Sequence, residues 1–341
     1  MKKVTIKDVA KKAGVSIGTV SRVFNDYSDI SEETRKHVFL VANQLGYSPN
    51  LAARTLSSKR QKKIALVFSG LVYMPKYTFP MSILNGVLDY ADSQNLEFAF
   101  YAITTQKQKE KTYEQFCSEH DLTCVILQGL HESDPYIEQL KTTRVPTVLI
   151  DMAVHSNPNV CSVTTDNVSA ATDAVNLLIK SGCKNIDFMN GTYDATVSVL
   201  RERGYKKALT DAGLPINSGR IQYANYDEQI ANLMAKQVLT NDPNIDGFFC
   251  ASDIMALGVL QALKDMGKKV PEDVAVIGFD GLELGAYVSP SLSTVVQQPY
   301  EFGQEAGRLA QQFLDGQKPN STIERHVPYK LVRRESTRKP Q

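Results

Sequence analysis

The sequence predicts an α/β protein with a small N-terminal helix-turn-helix head, a short helical linker and two Rossmann-like lobes. Three observations carry this prediction. Charge is divided: residues 1–63 hold 13 Lys+Arg against 5 Asp+Glu, a net of +8, and residues 64–341 hold 25 against 32, a net of −7. Helix-capping residues and apolar positions at helical spacing crowd into the first 46 residues. From residue 64 onward, short apolar runs alternate with helix-length amphipathic segments, the pattern of βαβ units and parallel sheets.

Length and composition agree. The 341 residues suffice for about two domains and a small appendage. With 43% hydrophobic and 22% charged residues, a disordered chain, a collagen and a disulfide scaffold are excluded. No run approaches the ~18 apolar residues of a membrane span. The basic start Met1-Lys2-Lys3-Val4-Thr5-Ile6-Lys7-Asp8 has no apolar segment behind it, so a cytoplasmic location and no membrane partner are expected. Cys117, Cys124, Cys161, Cys183 and Cys250 are scattered and form no CxxC. Reduced thiols are expected, with neither disulfides nor a metal site.

The head is built from caps. Thr5 and Asp8 form a capping-box pattern, followed by Ile6, Val9, Ala10 and Ala13 at helical spacing. Gly14 breaks this helix, and Ser16 caps a second one with Val20 and Val23 facing inward. Its outward face carries Ile17, Gly18, Ser21 and Arg22. Such a helix enters the DNA major groove with its N-terminal residues against base edges. Ser31, with Glu32 and Glu33, caps a third helix that runs through Leu45 and ends at Gly46. Any small three-helix domain shows such caps; the basic charge adds the nucleic-acid partner.

These residues also carry a family resemblance. Val4-Thr5-Ile6-Lys7-Asp8-Val9-Ala10, Ala13-Gly14-Val15-Ser16 and Thr19-Val20-Ser21-Arg22-Val23 with Asn25 resemble the head of lactose-repressor (LacI/GalR) family regulators. The likeness continues through Gly46-Tyr47-Ser48-Pro49-Asn50 and Ala52-Ala53-Arg54-Thr55-Leu56. It implies that Ile17, Gly18 and Arg22 face bases. It implies that Ser16, Thr19, Ser21, Asn25 and Tyr47 position the DNA backbone, with Thr5, Asn50, Ala53 and Lys59 in the same DNA-binding set. Ile17-Gly18 is an unusual pair in this family and leaves the operator sequence open.

Residues 49–63 read as hinge helix and linker, between a head at 1–48 and a body at 64–341. Pro49 suits a first helical turn, Asn50 to Leu56 continue it, and Ser57 to Lys63 are polar and basic. So short a helix is marginal alone in water. The resemblance implies that it pairs with its twin and enters the minor groove, with Leu56 as an apolar wedge that kinks the duplex.

In the body, strands are expected at Ile64–Phe68, Phe98–Ile103, Cys124–Leu127, Val148–Ile150, Ile186–Met189, Phe248–Cys250 and Val274–Phe279. Helices are expected near 80–94, 107–119, 134–142, 167–181, 197–212, 227–240, 253–266 and 300–314. A ligand would sit between the lobes, at the carboxyl ends of the strands. Asp151, Ser252-Asp253 and Asp280 follow expected strands, and Arg201 lies early in a helix after Asn190-Gly191. Carboxylates and a guanidinium converging on a cleft match vicinal hydroxyls of a polyol. The same residues also suit local tasks: Ser252-Asp253 an N-cap, Arg201 an ion pair with Glu202, and Asp151 and Asp280 loop caps.

The resemblance covers the body too, and implies a pair of lobes of the periplasmic-binding-protein type. Arg201 with Gly204-Tyr205, Ser252-Asp253-Ile254-Met255-Ala256-Leu257-Gly258, the run Val270 to Asp280, and Leu292 to Gln297 resemble family elements. It implies effector contacts by Asp151, Arg201, Ser252, Asp253 and Asp280, an aromatic wall from Phe79 and Tyr226, and a further contact by Gln297. The first lobe is expected at about 64–162 and 294–325, the second at about 163–293 and 326–341. The segment Ser69 to Pro80 departs from the family pattern, and its aromatics suggest an oligosaccharide or glycoside.

The reading is thus a dimeric transcriptional repressor of carbohydrate genes. It binds a pseudo-palindromic double-stranded DNA operator and is controlled by a sugar or sugar phosphate, without a cofactor. Two rivals stand beside it. In one, phosphorylated HPr is the main coregulator and sugars are secondary, as implied by the resemblance of Val295-Val296-Gln297 and Tyr300 to catabolite control proteins. In the other, the body is a Rossmann-type enzyme; the lack of GxxxxGK[ST], HExxH and GxSxG motifs argues against it. Ser181-Gly182-Cys183-Lys184 fits SxxK, but Gly182 there reads as a helix end. Residues 325–333 suggest one edge strand, and no coiled-coil heptad follows.

Overall fold

Thr5 opens the first helix, α1 (Ile6–Ala13), through its partnership with Asp8. Its N–H donates to Asp8 Oδ2 at 2.8 Å and its hydroxyl to the same oxygen at 2.7 Å. Gly14 ends α1 in the left-handed region, φ 67°, where a side chain would be strained. Ser16 Oγ accepts the Thr19 N–H at 3.0 Å and starts α2 (Ile17–Phe24). Ser31 Oγ accepts the Thr34 N–H at 3.2 Å and starts α3 (Glu32–Leu45). One fully buried valine from each helix, Val9, Val20 and Val38, sits at the centre of the head.

This computed structural model describes residues 4–24, 27, 29–47, 63–70, 78–318 and 324–339. The chain divides into two units, Met1–Lys62 and Lys63–Gln341. The expected hinge helix, with Asn50, Ala53, Leu56 and Lys59, lies outside the described residues, as do Asn25 and the segment 71–77.

The second unit contains two six-stranded sheets. The first joins β1 (Lys63–Ser69), β2 (Glu97–Ile103), β3 (Cys124–Gln128), β4 (Thr147–Ile150), β5 (Val160–Thr164) and β11 (Arg325–His326). Their order is β11-β5-β4-β3-β1-β2, and every pairing is parallel. The second joins β6 (Ile186–Asn190), β7 (Ile221–Tyr223), β8 (Gly247–Cys250), β9 (Ala275–Asp280), β10 (Ser293–Val296) and β12 (Lys330–Val332). Their order is β12-β10-β9-β8-β6-β7, with β12 antiparallel to β10. Both sheets reverse strand order beside their first strand, so each has a switch point of the kind that binds ligands beyond the carboxyl ends of its strands.

Several expectations need correction. Lys63, assigned to the linker, opens β1 and pairs in register with Glu97. The helix expected at 107–119 is two, α5 (Thr105–Glu110) and α6 (Tyr113–Glu119), because Thr112 caps a new start with Gln115. The single edge strand expected in 325–333 is two short strands in different sheets. β10 belongs to the second sheet, so the chain returns to the first lobe only after Val296. β5 lacked an apolar run, since Ser162 and Thr164 interrupt it, yet both are buried.

Helices cover the sheets. They are α4 (Thr78–Ser93), α7 (Pro135–Leu140) and α12 (Pro299–Leu314) with α5 and α6 on the first, and α8 (Asn167–Lys180), α9 (Thr196–Asp211), α10 (Glu228–Asn241) and α11 (Asp253–Asp265) on the second. α12 follows β10 yet packs on α4 of the first lobe, which ties the lobes together. The two helices approach through glycines: a Cβ on Gly86 would stand 2.1 Å from the Tyr300 carbonyl oxygen, and one on Gly303 2.3 Å from that of Ile83. Backbone cannot yield cheaply, so Gly303→Val should cost about 1–3 kcal/mol or more. A thermal unfolding curve unchanged by this variant would contradict the packing. Among the described residues, no helix is long and apolar enough to cross a membrane.

Candidate functional site

The outward face of α2 is as the sequence places it. Ser16, Gly18 and Arg22 are exposed and Ile17 is 45% exposed, while Thr19 and Ser21 are half-buried beside them. Ile17 thus presents an apolar side chain on the same outward face as Arg22. Arg22 Nη1 pairs with Asp29 at 3.0 Å, and its guanidinium lies 5.4 Å from the Tyr27 ring centre. Both partners are half exposed, so this pair is weak. Thr5 is exposed at its cap, and Tyr47 is half-buried against Phe24.

The second site lies where the two sheets face one another. Asp151 follows β4 of the first sheet, and Asp280 ends β9 of the second. Arg201, on α9, is 3% exposed and stands between them. Its Nη1 lies 3.8 Å from Asp280 Oδ1 and donates to the Ala251 carbonyl at 2.6 Å. Its Nε donates to Asn167 Oδ1 at 2.9 Å, and its guanidinium stacks on buried Phe279 at 3.8 Å. These partners fix the guanidinium in plane and direction. Gln297 Nε2 donates to Asp280 Oδ1 at 2.8 Å, and the Thr164 hydroxyl donates to Asp151 Oδ1 at 2.8 Å.

A hydrogen-bonded chain crosses between the lobes here. It runs from Asp151 to Thr164, from Thr164 to Asn167 Nδ2 at 3.2 Å, and on through Asn167 to Arg201. Thr164 and Asn167 were missed in the sequence. Their signal was the polar run Thr164-Thr165-Asp166-Asn167 at the start of a helix, which reads as no more than a cap.

The carboxylates are poised. Burial pushes Asp280 up to about 6; Arg201 and Gln297 oppose this and Asp151 adds to it. Burial also raises Asp151, against Arg201 and Thr164. Tyr226 is raised by burial and feels Arg201, Asp280 and Asp151, and its hydroxyl lies 3.0 Å from Ser198 Oγ. Asp151, Tyr226 and Asp280 all have positive φ, at 60°, 58° and 105°. Non-glycine residues held in this region cost about 1–3 kcal/mol each and cluster at ligand sites.

The remaining candidates have other tasks. Ser252 is 2% exposed and caps α11, its Oγ accepting the Met255 N–H at 3.3 Å. Asp253 is fully buried; its carboxylate accepts from the Thr294 hydroxyl and the Leu282 N–H, both at 2.6 Å. It therefore fixes the loop after Asp280 rather than presenting its oxygens to a ligand. Phe79 packs edge-on against buried Phe302 in the first-lobe core. The sequence thus brings Asp151, Arg201, Tyr226, Asp280 and Gln297 together, with Ser252, Asp253 and Phe79 supporting the frame.

Two buried carboxyls should shape stability. Burial raises Asp187 in β6 and Asp253 to about 8 each, from about 3.9 in an unfolded chain. Between these values the folded protein keeps protons that the unfolded chain has lost. Stability from these groups is therefore complete below about pH 4 and is lost as pH rises toward 8. Asp187 Oδ1 has no hydrogen-bond partner. Asp187→Asn should raise the melting temperature at pH 8 and leave it nearly unchanged at pH 4; an equal shift at both would contradict this.

Comparison with known proteins places the chain in a family. Residues 5–50 match the family model "Bacterial regulatory proteins, lacI family", and residues 175–337 match "Periplasmic binding protein-like domain". Catabolite control protein A of Priestia megaterium is 33% identical over 98% of this chain and 99% of its own length. The ribose operon repressor of Halalkalibacterium halodurans is 31% identical over 98% of this chain and 97% of its own. The Lac repressor dimer bound to operator and an anti-inducer matches with a TM-score of 0.87 at 25% identity, over 99% of this chain and 100% of that one. A CelR–cellobiose complex matches with a TM-score of 0.74 at 28% identity, over 98% and 100%. With a lacI-type head and relatives of this identity over nearly its whole length, the chain belongs to the LacI family of bacterial DNA-binding transcriptional regulators.

Proposed function

We propose that this regulator is a cytoplasmic repressor of carbohydrate-utilisation genes, released from a pseudo-palindromic operator by a neutral sugar bound between its lobes. The observation that carries the effector reading is the group Asp151–Arg201–Asp280. Two carboxylates from different lobes flank one fixed guanidinium, with Tyr226 beside them. Carboxylates accept from paired hydroxyls, and the guanidinium donates to ring or hydroxyl oxygens. The surplus of negative charge disfavours a phosphate, which narrows the expected sugar or sugar phosphate to the neutral sugar. The CelR complex with cellobiose supports a ligand of this class in this fold. The head supplies DNA binding, and a twofold dimer supplies the paired heads that such an operator needs. A division into a head at 1–48, a hinge and linker at 49–62 and a body from Lys63 serves this scheme, with the hinge carrying the effector signal to the DNA.

A second reading has phosphorylated HPr as coregulator. The similarity to a catabolite control protein favours it. Of its four sequence pointers, however, Val295 and Gln297 are buried, Val296 is partly buried, and Tyr300 alone is an exposed side chain, at 41%.

The test is a thermal-shift panel of neutral sugars and their phosphates on the full-length protein. At about 100 times its Kd, the cognate effector should stabilise by about 2.7 kcal/mol. Stabilisation by sugar phosphates alone would overturn the neutral-sugar reading. Affinity for the effector should also fall as pH drops from 7 to 5, because Asp280, held up to about 6, then takes a proton and loses acceptor capacity. Calorimetric titration at the two pH values reads this; equal affinity would remove Asp280 from the contact.

A further inference from the structure

We propose that Asp194 forms a latch with His131 and Ser133 that holds the two lobes closed across the mouth of the cleft. Asp194 lies in the loop after β6 of the second lobe, and His131 to Ser133 in the loop after β3 of the first. Three contacts join the loops. The Ser133 hydroxyl donates to Asp194 Oδ2 at 2.8 Å. His131 Nδ1 lies 3.2 Å from Asp194 Oδ1. The Glu132 N–H donates to the Asp194 carbonyl at 3.2 Å. The Nδ1 must carry a proton to bond a carboxylate, which fixes the tautomer of a neutral His131.

Each half of the latch is anchored in its own lobe. Asp134 is buried and accepts from the His131 N–H at 3.0 Å, from Ser69 Oγ at 3.3 Å and from Thr105 Oγ1 at 2.8 Å. On the other side, Asn190 accepts the Gly191 N–H at 2.8 Å and donates to the Ser198 carbonyl at 3.2 Å. Ser198 in turn meets Tyr226, and Gly191 packs so tightly on the Tyr226 ring that a Cβ would stand 2.1 Å from it. Closing the latch therefore fixes the loop that seats Tyr226 and leads into the helix bearing Arg201. The His131 and Asp194 side chains remain 41% and 37% exposed, so water competes and the latch is weak. Weakness suits it, since a small differential free energy then suffices to move the open–closed balance. The link to regulation rests on reading the cleft as the effector site; the latch itself does not.

The test uses full-length, ligand-free protein. Hydrogen exchange of the peptide covering 129–134 reports the Glu132 amide. In Asp194→Ala it should exchange about three- to tenfold faster, while peptides from β3 and β6 keep their rates. Ser133→Ala should do the same to a smaller degree, and the double variant should add nothing to Asp194→Ala alone. Spin labels at Lys109→Cys and Lys207→Cys, one on each lobe, should show a broader and longer distance distribution in Asp194→Ala. All five native cysteines are buried and should not compete for label. Unchanged exchange at 129–134, additive variants or an unchanged distance distribution would overturn the latch. None of these readouts needs an effector, so they fail or succeed independently of the sugar reading.

Discussion

Arg201→Ala should lose the response to effector while the protein still binds its operator. The guanidinium is 3% exposed, stacked on Phe279 and bonded to Asn167 and Ala251. It is also the cation that offsets Asp151 and Asp280. Truncating one member of such a buried, hydrogen-bonded charge group costs about 2–5 kcal/mol of binding, a factor of about 30 to several thousand in affinity. The expected phenotype is a repressor that no sugar releases. Because the variant also leaves two carboxylates without their counter-charge, Arg201→Lys is its companion. It keeps the charge but lacks the planar fork, so it should fold close to wild type and still bind effector at least tenfold more weakly. Calorimetry with the effector found in the sugar panel reads both variants. Wild-type effector affinity in either would remove Arg201 from the site.

Arg22→Ala should weaken operator binding by about 1–3 kcal/mol, or about five- to 150-fold, and relax specificity at one position in each half-site. Effector binding should be untouched, since Arg22 and the cleft belong to different units of the chain. Arg22 is not free in the head: Asp29 pairs with it at 3.0 Å. Asp29→Ala should therefore leave operator affinity unchanged or raise it. Anisotropy titrations at one fixed salt concentration separate the two. A loss of affinity in Asp29→Ala equal to that in Arg22→Ala would show that the pair acts by holding the head together, not by reading bases.

What the sequence revealed followed from how local each determinant is. The head was legible almost residue by residue, because Thr5, Gly14, Ser16, Ser31 and Gly46 act through bonds to their own neighbours. The strands with continuous apolar runs, such as Ile64–Phe68, were equally clear. β5 and β10 were hidden because their buried serines and threonines are satisfied by distant partners. Ser293 Oγ, for example, lies 2.8 Å from Thr337 Oγ1. The same limit applied to the site. Asp151 and Asp280 were nominated from strand ends and Arg201 from an early helical turn, all three with family likeness. That Asp253 turns inward to Thr294 and Leu282 depends on a contact across 41 and 29 residues of chain. The division of the tail between two sheets is likewise a tertiary fact: His326 pairs beside Thr164 in one sheet and Val332 beside Thr294 in the other.

A sugar bound between the lobes should release DNA held by the heads. Binding linkage requires that the sugar weaken operator affinity by the same factor by which operator weakens sugar affinity, usually 5- to 150-fold. Fluorescence anisotropy of a labelled palindromic operator from the protein's own promoter, with a scrambled duplex as control, measures this at fixed salt. Selective binding that one neutral sugar weakens at least fivefold, and that the same sugar leaves intact in Arg201→Ala, is the predicted result. Selective binding that every sugar leaves unchanged, but that phosphorylated HPr alters, would contradict the account.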